Sequence, residues 1–143
     1  MKSSALSRRL KLFSLLLPIV ALPNFVLATP SPKDAKVYIV SPKDGDTVTS
    51  PVKVIFGLTG MGVAPAGVDK KNTGHHHLLI DGEKLPDMNK PMGKNVKHFG
   101  GGQTETMLDL KPGKHTLQLI LGDKGHKPHQ PPVISEKISI TVQ

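Results

Sequence analysis

The chemistry available to this chain is carried mainly by histidine, because its 143 residues include seven histidines and no cysteine. Three of the histidines are consecutive in the stretch NTGHHHLLIDG, residues 72–82. Side chains alternate along a β-strand, so His75 and His77 would project to one face and His76 to the other. Two parallel imidazoles can close on one metal ion. The alternative interpretation is that one ring is buried and hydrogen-bonded while the others are solvated.

Further histidines occur in two stretches rich in glycine or proline, HFGGGQTE (98–105) and GDKGHKPHQPP (122–132). We predict that they join the first group in one metal site. Its candidate ligands are His75, His77, His98, His126 and His129. Imidazole suits both Cu(II) and Zn(II), and a chain without cysteine has no thiolate ligand to offer. The predicted cofactor is therefore copper or zinc, and the alternative is a structural hydrogen-bond network.

A second set of candidates surrounds these histidines and could bind a small polar ligand. Three consecutive glycines could present backbone N–H groups to an anion, or could form a tightly turning loop. This second set is His76, Gly100, Gly101, Gly102, Gln103 and Glu105. Methionine thioethers are candidate Cu(I) ligands. Met107 fits strand packing better, whereas Met88 and Met92 fall in a predicted loop and stay open as ligands.

Short stretches of alternating apolar and polar residues, divided by Gly, Pro and Asp clusters, predict an all-β protein. The strands are predicted at 36–40, 52–58, 75–81, 104–110, 115–121 and 133–142, with one weak strand within 83–103. About seven short strands fit an immunoglobulin-like antiparallel β-sandwich, and an up-and-down barrel is the alternative.

The immunoglobulin-like topology would gather the histidines at one end of the domain, because alternate connections of such a sandwich meet there. The connections 59–74, 83–103 and 122–132 carry or adjoin six of the seven histidines. His115 is the exception, since it begins a strand at the opposite end, after the turn at 111–114. We expect a ring nitrogen of His115 to bond to the backbone at that corner, which is a structural role.

Catalysis and nucleic-acid binding are not expected. The sequence has no HExxH or GxSxG motif, and a zinc hydrolase with Glu105 as its base is a minor alternative. The lysines are scattered, and beyond residue 28 only Tyr38, Phe56 and Phe99 could stack on bases. The expected partner is a metal ion or a small polar ligand. An envelope protein partner belongs to the alternative of a non-catalytic interaction or structural module.

The first 28 residues have the three parts of a secretory signal peptide: a basic start, an apolar run and a small-residue cleavage site that ends at Ala28. The alternative is a membrane anchor, but Pro18 and Pro23 interrupt the run. Cleavage would remove four basic residues and lower the net charge from +8 to +4. We therefore predict a soluble periplasmic protein without stable membrane insertion, with a short linker at 29–35 and one domain at 36–143.

Three stretches, GVAPAGVDKKNTGHHHLLIDG, HFGGGQTET and LKPGKHTLQLILGDKGHKPHQPPVISEKISITV, together resemble an exported bacterial family known as domain of unknown function 4399. The resemblance extends over about Val37 to Val142. It implies an exported single domain of immunoglobulin-like type and supplies no activity. The family's pattern falls on Gly74, His75, His76, His77, Asp81, His98, Gly100, Gly101, Gly102, Gln103, Glu105, Gly113, His115, His126, Pro128 and His129.

Overall fold

The computed structural model describes residues 28–143, so the predicted signal peptide lies outside the described residues except for Ala28. That part of the chain contains nine β-strands. They are β1 (Lys36–Ser41), β2 (Thr47–Val48), β3 (Val52–Thr59), β4 (Gly62–Val63), β5 (Thr73–Ile80), β6 (Lys97–His98), β7 (Glu105–Leu108), β8 (Gly113–Gly122) and β9 (Ile138–Val142). Within the same range no helix is long and apolar enough to cross a membrane.

The strands form two sheets, as expected for a sandwich. The smaller sheet has the order β1-β3-β7, and the larger has the order β2-β9-β8-β5-β4. The short strand β6 also pairs with β5, at His77 and Leu78. All pairs among the longer strands are antiparallel. The predicted all-β sandwich is confirmed and is consistent with the immunoglobulin-like class, whereas the alternative of a single closed barrel is wrong. The sequence did not predict β2 and β4, which are only two residues long.

The core lies between the two sheets and is built by alternate residues of each strand. Val54 and Phe56 of β3 face Leu78 of β5 and Leu119 of β8, and all four are buried. This burial of apolar side chains supplies the main favourable term that holds the sheets together.

A second, smaller apolar cluster lies on the outer face of the larger sheet. It consists of Leu79, Val96 and Ile120, with Met92 and Ile134 packed against it. Because this cover buries the outer face as well, six consecutive residues of β5, from Gly74 to Leu79, are buried. A strand covered on both faces explains why GHHHLL is a continuous buried run and not an alternation of buried and exposed residues.

The last strand begins at Ile138, five residues later than predicted. Residues 133–135 do lie against β8, where the N–H of Leu121 donates to the carbonyl of Val133 at 2.9 Å. At Ser135 the hydroxyl oxygen accepts the N–H of Leu119 at 2.8 Å, in place of a backbone carbonyl. This side-chain substitution interrupts the ladder, and regular pairing resumes only when Ile138 lies opposite Leu117.

His115 has the backbone bond predicted for it. Its Nε2 donates to the carbonyl of Lys111 at 2.8 Å, and its Nδ1 donates to Oδ2 of Asp81 at 2.7 Å. The hydrogen bond to the Asp81 carboxylate raises the pKa of His115, and the bond to the Lys111 carbonyl raises it further. His115 therefore ties the β7–β8 corner to the end of β5, away from the other histidines.

Candidate functional site

The site begins with the alternation of side chains along β5. His76 points between the sheets, where its ring centroid lies 5.1 Å from that of Phe56. His75 and His77 point to the outer face, with ring centroids 4.7 Å apart. The pleat of the strand thus places this pair side by side, as the His-x-His spacing predicts.

Two further histidines reach the same outer face from different connections. His98 lies on β6 directly opposite His77, and the two rings stack with centroids 5.1 Å apart. His126 lies in the β8–β9 connection with a positive φ of 65°, and its Nδ1 is 3.1 Å from Nε2 of His75. We call His75, His77, His98 and His126 the four-histidine cluster. One ring nitrogen from each lies within 4.8 Å of the corresponding nitrogen of every other member.

Burial keeps the two strand histidines neutral. His75 is 0% exposed and His77 is 1% exposed. Desolvation lowers the pKa of His75 to about 4, and repulsion from His98 and His126 adds to the shift. Desolvation and the neighbouring His75 lower the pKa of His77 to about 3. At neutral pH these two imidazoles therefore present lone pairs, which metal binding requires.

Three of the four ring nitrogens of this pair lack a well-formed hydrogen bond. Within residues 28–143 these are Nδ1 of His75 and both nitrogens of His77, although a minor backbone interaction with His75 acts to raise the pKa of the His77 ring. A buried polar atom left without a partner costs about 1–3 kcal/mol. A bound cation would offer this compensation to one nitrogen of the His77 ring.

The spacing of the cluster fits a first-row transition metal. With a metal–nitrogen distance of about 2.0–2.1 Å, two ligand nitrogens are separated by about 3.3 Å in a tetrahedral site and by up to about 4 Å in a planar one. The 3.1 Å pair of His75 and His126 already falls near this range, and the widest separation of 4.8 Å requires only a small inward movement. The donor set is entirely imidazole, which suits copper, zinc and nickel.

His129, also predicted as a ligand, lies outside the four-histidine cluster. Its ring is 0% exposed and faces Gly74, where an added Cβ atom would be 2.9 Å from Nε2 of His129. Burial lowers its pKa, although the nearby Asp123 carboxylate acts in the opposite direction. The ring of His126 thus faces the cluster and that of His129 faces Gly74, although the two residues are only three positions apart.

The remaining candidates are not part of the cluster. Nδ1 of His76 lies 3.3 Å from the carbonyl of Gln103, and the Gln103 side chain accepts the N–H of Gly101 at 3.0 Å. A Cβ atom at Gly100 would lie 2.3 Å from Cε1 of His98, so glycine at this position lets the loop pass close to that ring. Gly102 has a φ of 82° and turns the chain back toward β7. Glu105 lies on the other sheet, where it pairs with Lys53 at 3.2 Å.

Asp123 organises the connection that carries His126, a role that sequence reasoning missed. Its Oδ1 accepts the N–H groups of Gly125 and Lys127 at 2.8 and 3.0 Å, and its Oδ2 accepts the hydroxyl of Thr29 at 2.7 Å. Burial raises the pKa of this carboxyl, but the three hydrogen bonds outweigh burial and leave its pKa lowered. An Asp followed two residues later by Gly is typical of such a turn and was the available signal.

Gly122 is a second residue whose role sequence reasoning missed: its lack of a side chain leaves room for the His77 ring. Substitution with alanine tests this role. An added Cβ atom would lie 2.5 Å from Cε1 of His77, and both residues are held in paired strands. We expect Gly122→Ala to displace the His77 ring and to weaken metal binding by about tenfold or more in an equilibrium titration.

The matched control is Gly125→Ala in the following turn. The nearest atom to its added Cβ would be Oδ1 of Asp123 at 3.6 Å, which is ordinary contact. Unchanged metal affinity in Gly122→Ala, or equal losses in the two variants, would contradict the contact described for His77.

Comparison with known proteins gives one match. The model of a family described as a domain of unknown function, DUF4399, matches residues 54–143, which include all four members of the cluster. No curated protein and no solved structure matches the chain. Because the match covers more than half of the sequence, the chain belongs to the DUF4399 family.

Proposed function

We propose that this protein is an exported, non-catalytic binding protein that holds one copper or zinc ion at the four-histidine cluster. The observation that carries this proposal is the pair His75 and His77. Both are fully buried, both are neutral at neutral pH, and both have ring nitrogens without hydrogen-bond partners. Two further imidazoles converge on them from separate connections. A metal ion is the ligand that such a set of neutral nitrogen donors binds best.

A binding role is favoured over catalysis by the composition of the cluster. Zinc hydrolases of the HExxH class use a glutamate beside the metal as the general base. The four-histidine cluster contains no carboxylate, and Glu105 pairs with Lys53 on the other sheet. Export to the periplasm is proposed from the leader sequence, in which a basic start precedes an apolar run and a cleavage site.

The proposal is tested by thermal-shift titration of untagged residues 29–143, stripped with a chelator, against Cu(II), Zn(II) and Ni(II) at neutral pH. An ion at one hundred times its Kd adds about 2.7 kcal/mol to the free energy of unfolding. That increase corresponds to a rise of several degrees in Tm for a domain of about this size. No rise with any of the three ions would contradict the proposal and would favour an interaction module.

The exposed member of the cluster supplies the control. His98→Gln removes one ligand at a surface position, where the cost to folding is small, and is expected to reduce the metal-dependent rise in Tm. Lys97→Gln changes the preceding residue, whose side chain is also exposed and lies outside the cluster. A similar rise in both variants would show that the ion binds elsewhere.

A further inference from the structure

A cavity of about 350 Å³ opens directly beside the four-histidine cluster. Its lining includes three members of the cluster, His77, His98 and His126, together with Met92. His77 is almost completely buried and brings two unpartnered nitrogens to this lining. The cavity therefore adjoins the cluster, and the only sulfur on its wall belongs to Met92.

Met92 is held in place by both its backbone and its side chain. Its N–H donates to the carbonyl of His126 at 2.8 Å, so it is connected directly to one member of the cluster. Its side chain packs against the apolar cluster of Leu79, Val96 and Ile120. An added Cβ atom at Gly122 would lie 2.9 Å from Cε of Met92 and 2.5 Å from Cε1 of His77. The end of the thioether and the His77 ring thus lie over the same point of the backbone.

The chemistry of this donor set distinguishes copper from zinc. A thioether is a soft ligand that selects Cu(I), whereas imidazole binds Cu(II) and Zn(II) alike. The four cluster nitrogens lie within 4.8 Å of one another, a spacing that is compatible with either ion. The sulfur of Met92 on the cavity lining is therefore the feature that favours copper.

We infer that the ion is copper and that the sulfur of Met92 is an additional ligand when the ion is bound as Cu(I). This inference rests on the proposed function and names the ion for the same site. The imidazoles bind Cu(II), and Met92 adds a donor that Cu(I) prefers. No other methionine is part of the cavity lining within the described chain.

The inference is tested by Met92→Leu, measured by anaerobic competition with a chromophoric Cu(I) chelator. Leucine keeps nearly the same apolar volume, so packing against Val96 and Ile120 is preserved while the sulfur is removed. We expect Cu(I) affinity to fall by about tenfold or more and Zn(II) affinity to change by less than about twofold. X-ray absorption of the Cu(I) protein should show a sulfur neighbour that is absent in the variant.

Met107→Leu is the matched control, because Met107 is 53% exposed on β7 of the other sheet. It should change neither affinity. If the protein binds no metal, the proposed function and this inference both fail. If Zn(II) and Cu(I) bind to the wild type but Met92→Leu changes neither affinity and no sulfur neighbour is seen, only the inference is overturned.

Discussion

A His77→Phe variant is expected to lose the metal while its metal-free form stays at least as stable as the wild type. Both nitrogens of the buried His77 lack hydrogen-bond partners, and phenylalanine replaces the ring with an apolar one of similar shape. Replacing a buried polar group that has no partner by an apolar group is close to neutral or stabilising. The metal-dependent rise in Tm, by contrast, should fall from several degrees to nearly zero.

The control for this substitution is His76→Phe on the same strand. His76 is equally buried but points into the core beside Phe56, outside the four-histidine cluster. The metal-dependent rise should be retained in this variant. A His77→Phe protein that still responds to metal, or one that unfolds while His76→Phe does not, would show that His77 serves the fold and not an ion.

The metal-free protein is expected to lose stability on acidification. Burial lowers the pKa of His75 from 6.5 to about 4 and that of His77 from 6.5 to about 3. The unfolded chain therefore binds protons at a higher pH than the folded one does. Stability from these two groups is fully present above pH 6.5 and is lost as the pH falls toward 4 and below. At about 1.4 kcal/mol per pKa unit, the loss is on the order of several kcal/mol.

This pH dependence is measured by urea unfolding at a series of pH values in the presence of chelator. The raised pKa of His115 acts in the opposite sense, because its contribution is present at low pH and is lost as the pH rises through its folded pKa. The His77→Phe variant should show a shallower fall than the wild type. A free energy of unfolding that stays level between pH 7 and 4 in the wild type would contradict the burial and neutrality of the two rings.

The strand pattern and the first half of the site could be predicted from the sequence. Alternation along an extended strand depends only on local geometry, so His75 and His77 were correctly expected on one face with His76 on the other. The hydrogen bond of His115 to the backbone at the β7–β8 corner could be predicted for a similar reason, because the turn that precedes His115 is recognisable from local sequence. The expected number of main strands followed from the spacing of turn residues.

The rest of the site depends on contacts between distant residues. The position of His98 is set by the register of β6 against β5, which a two-residue strand in an irregular stretch does not reveal. His126 adopts a positive φ in a turn fixed by Asp123, and this turn separates it from His129. Both were expected to be ligands because the predicted topology places their connection at the histidine-rich end of the domain. The structure brings only the first into the cluster.

In this chain an ion at the cluster would serve as a cross-link. His75 lies on a strand, whereas His126 lies 51 positions later in a loop, and no cysteine is available to join such distant segments. A bond between remote parts of a chain stabilises the fold by limiting the freedom of the unfolded state, as a disulfide does. A metal bond of this kind can be removed by a chelator or by acid. The ion would therefore add a removable link between the His126 loop and the sheet to the hydrogen bonds that Asp123 and Met92 already provide.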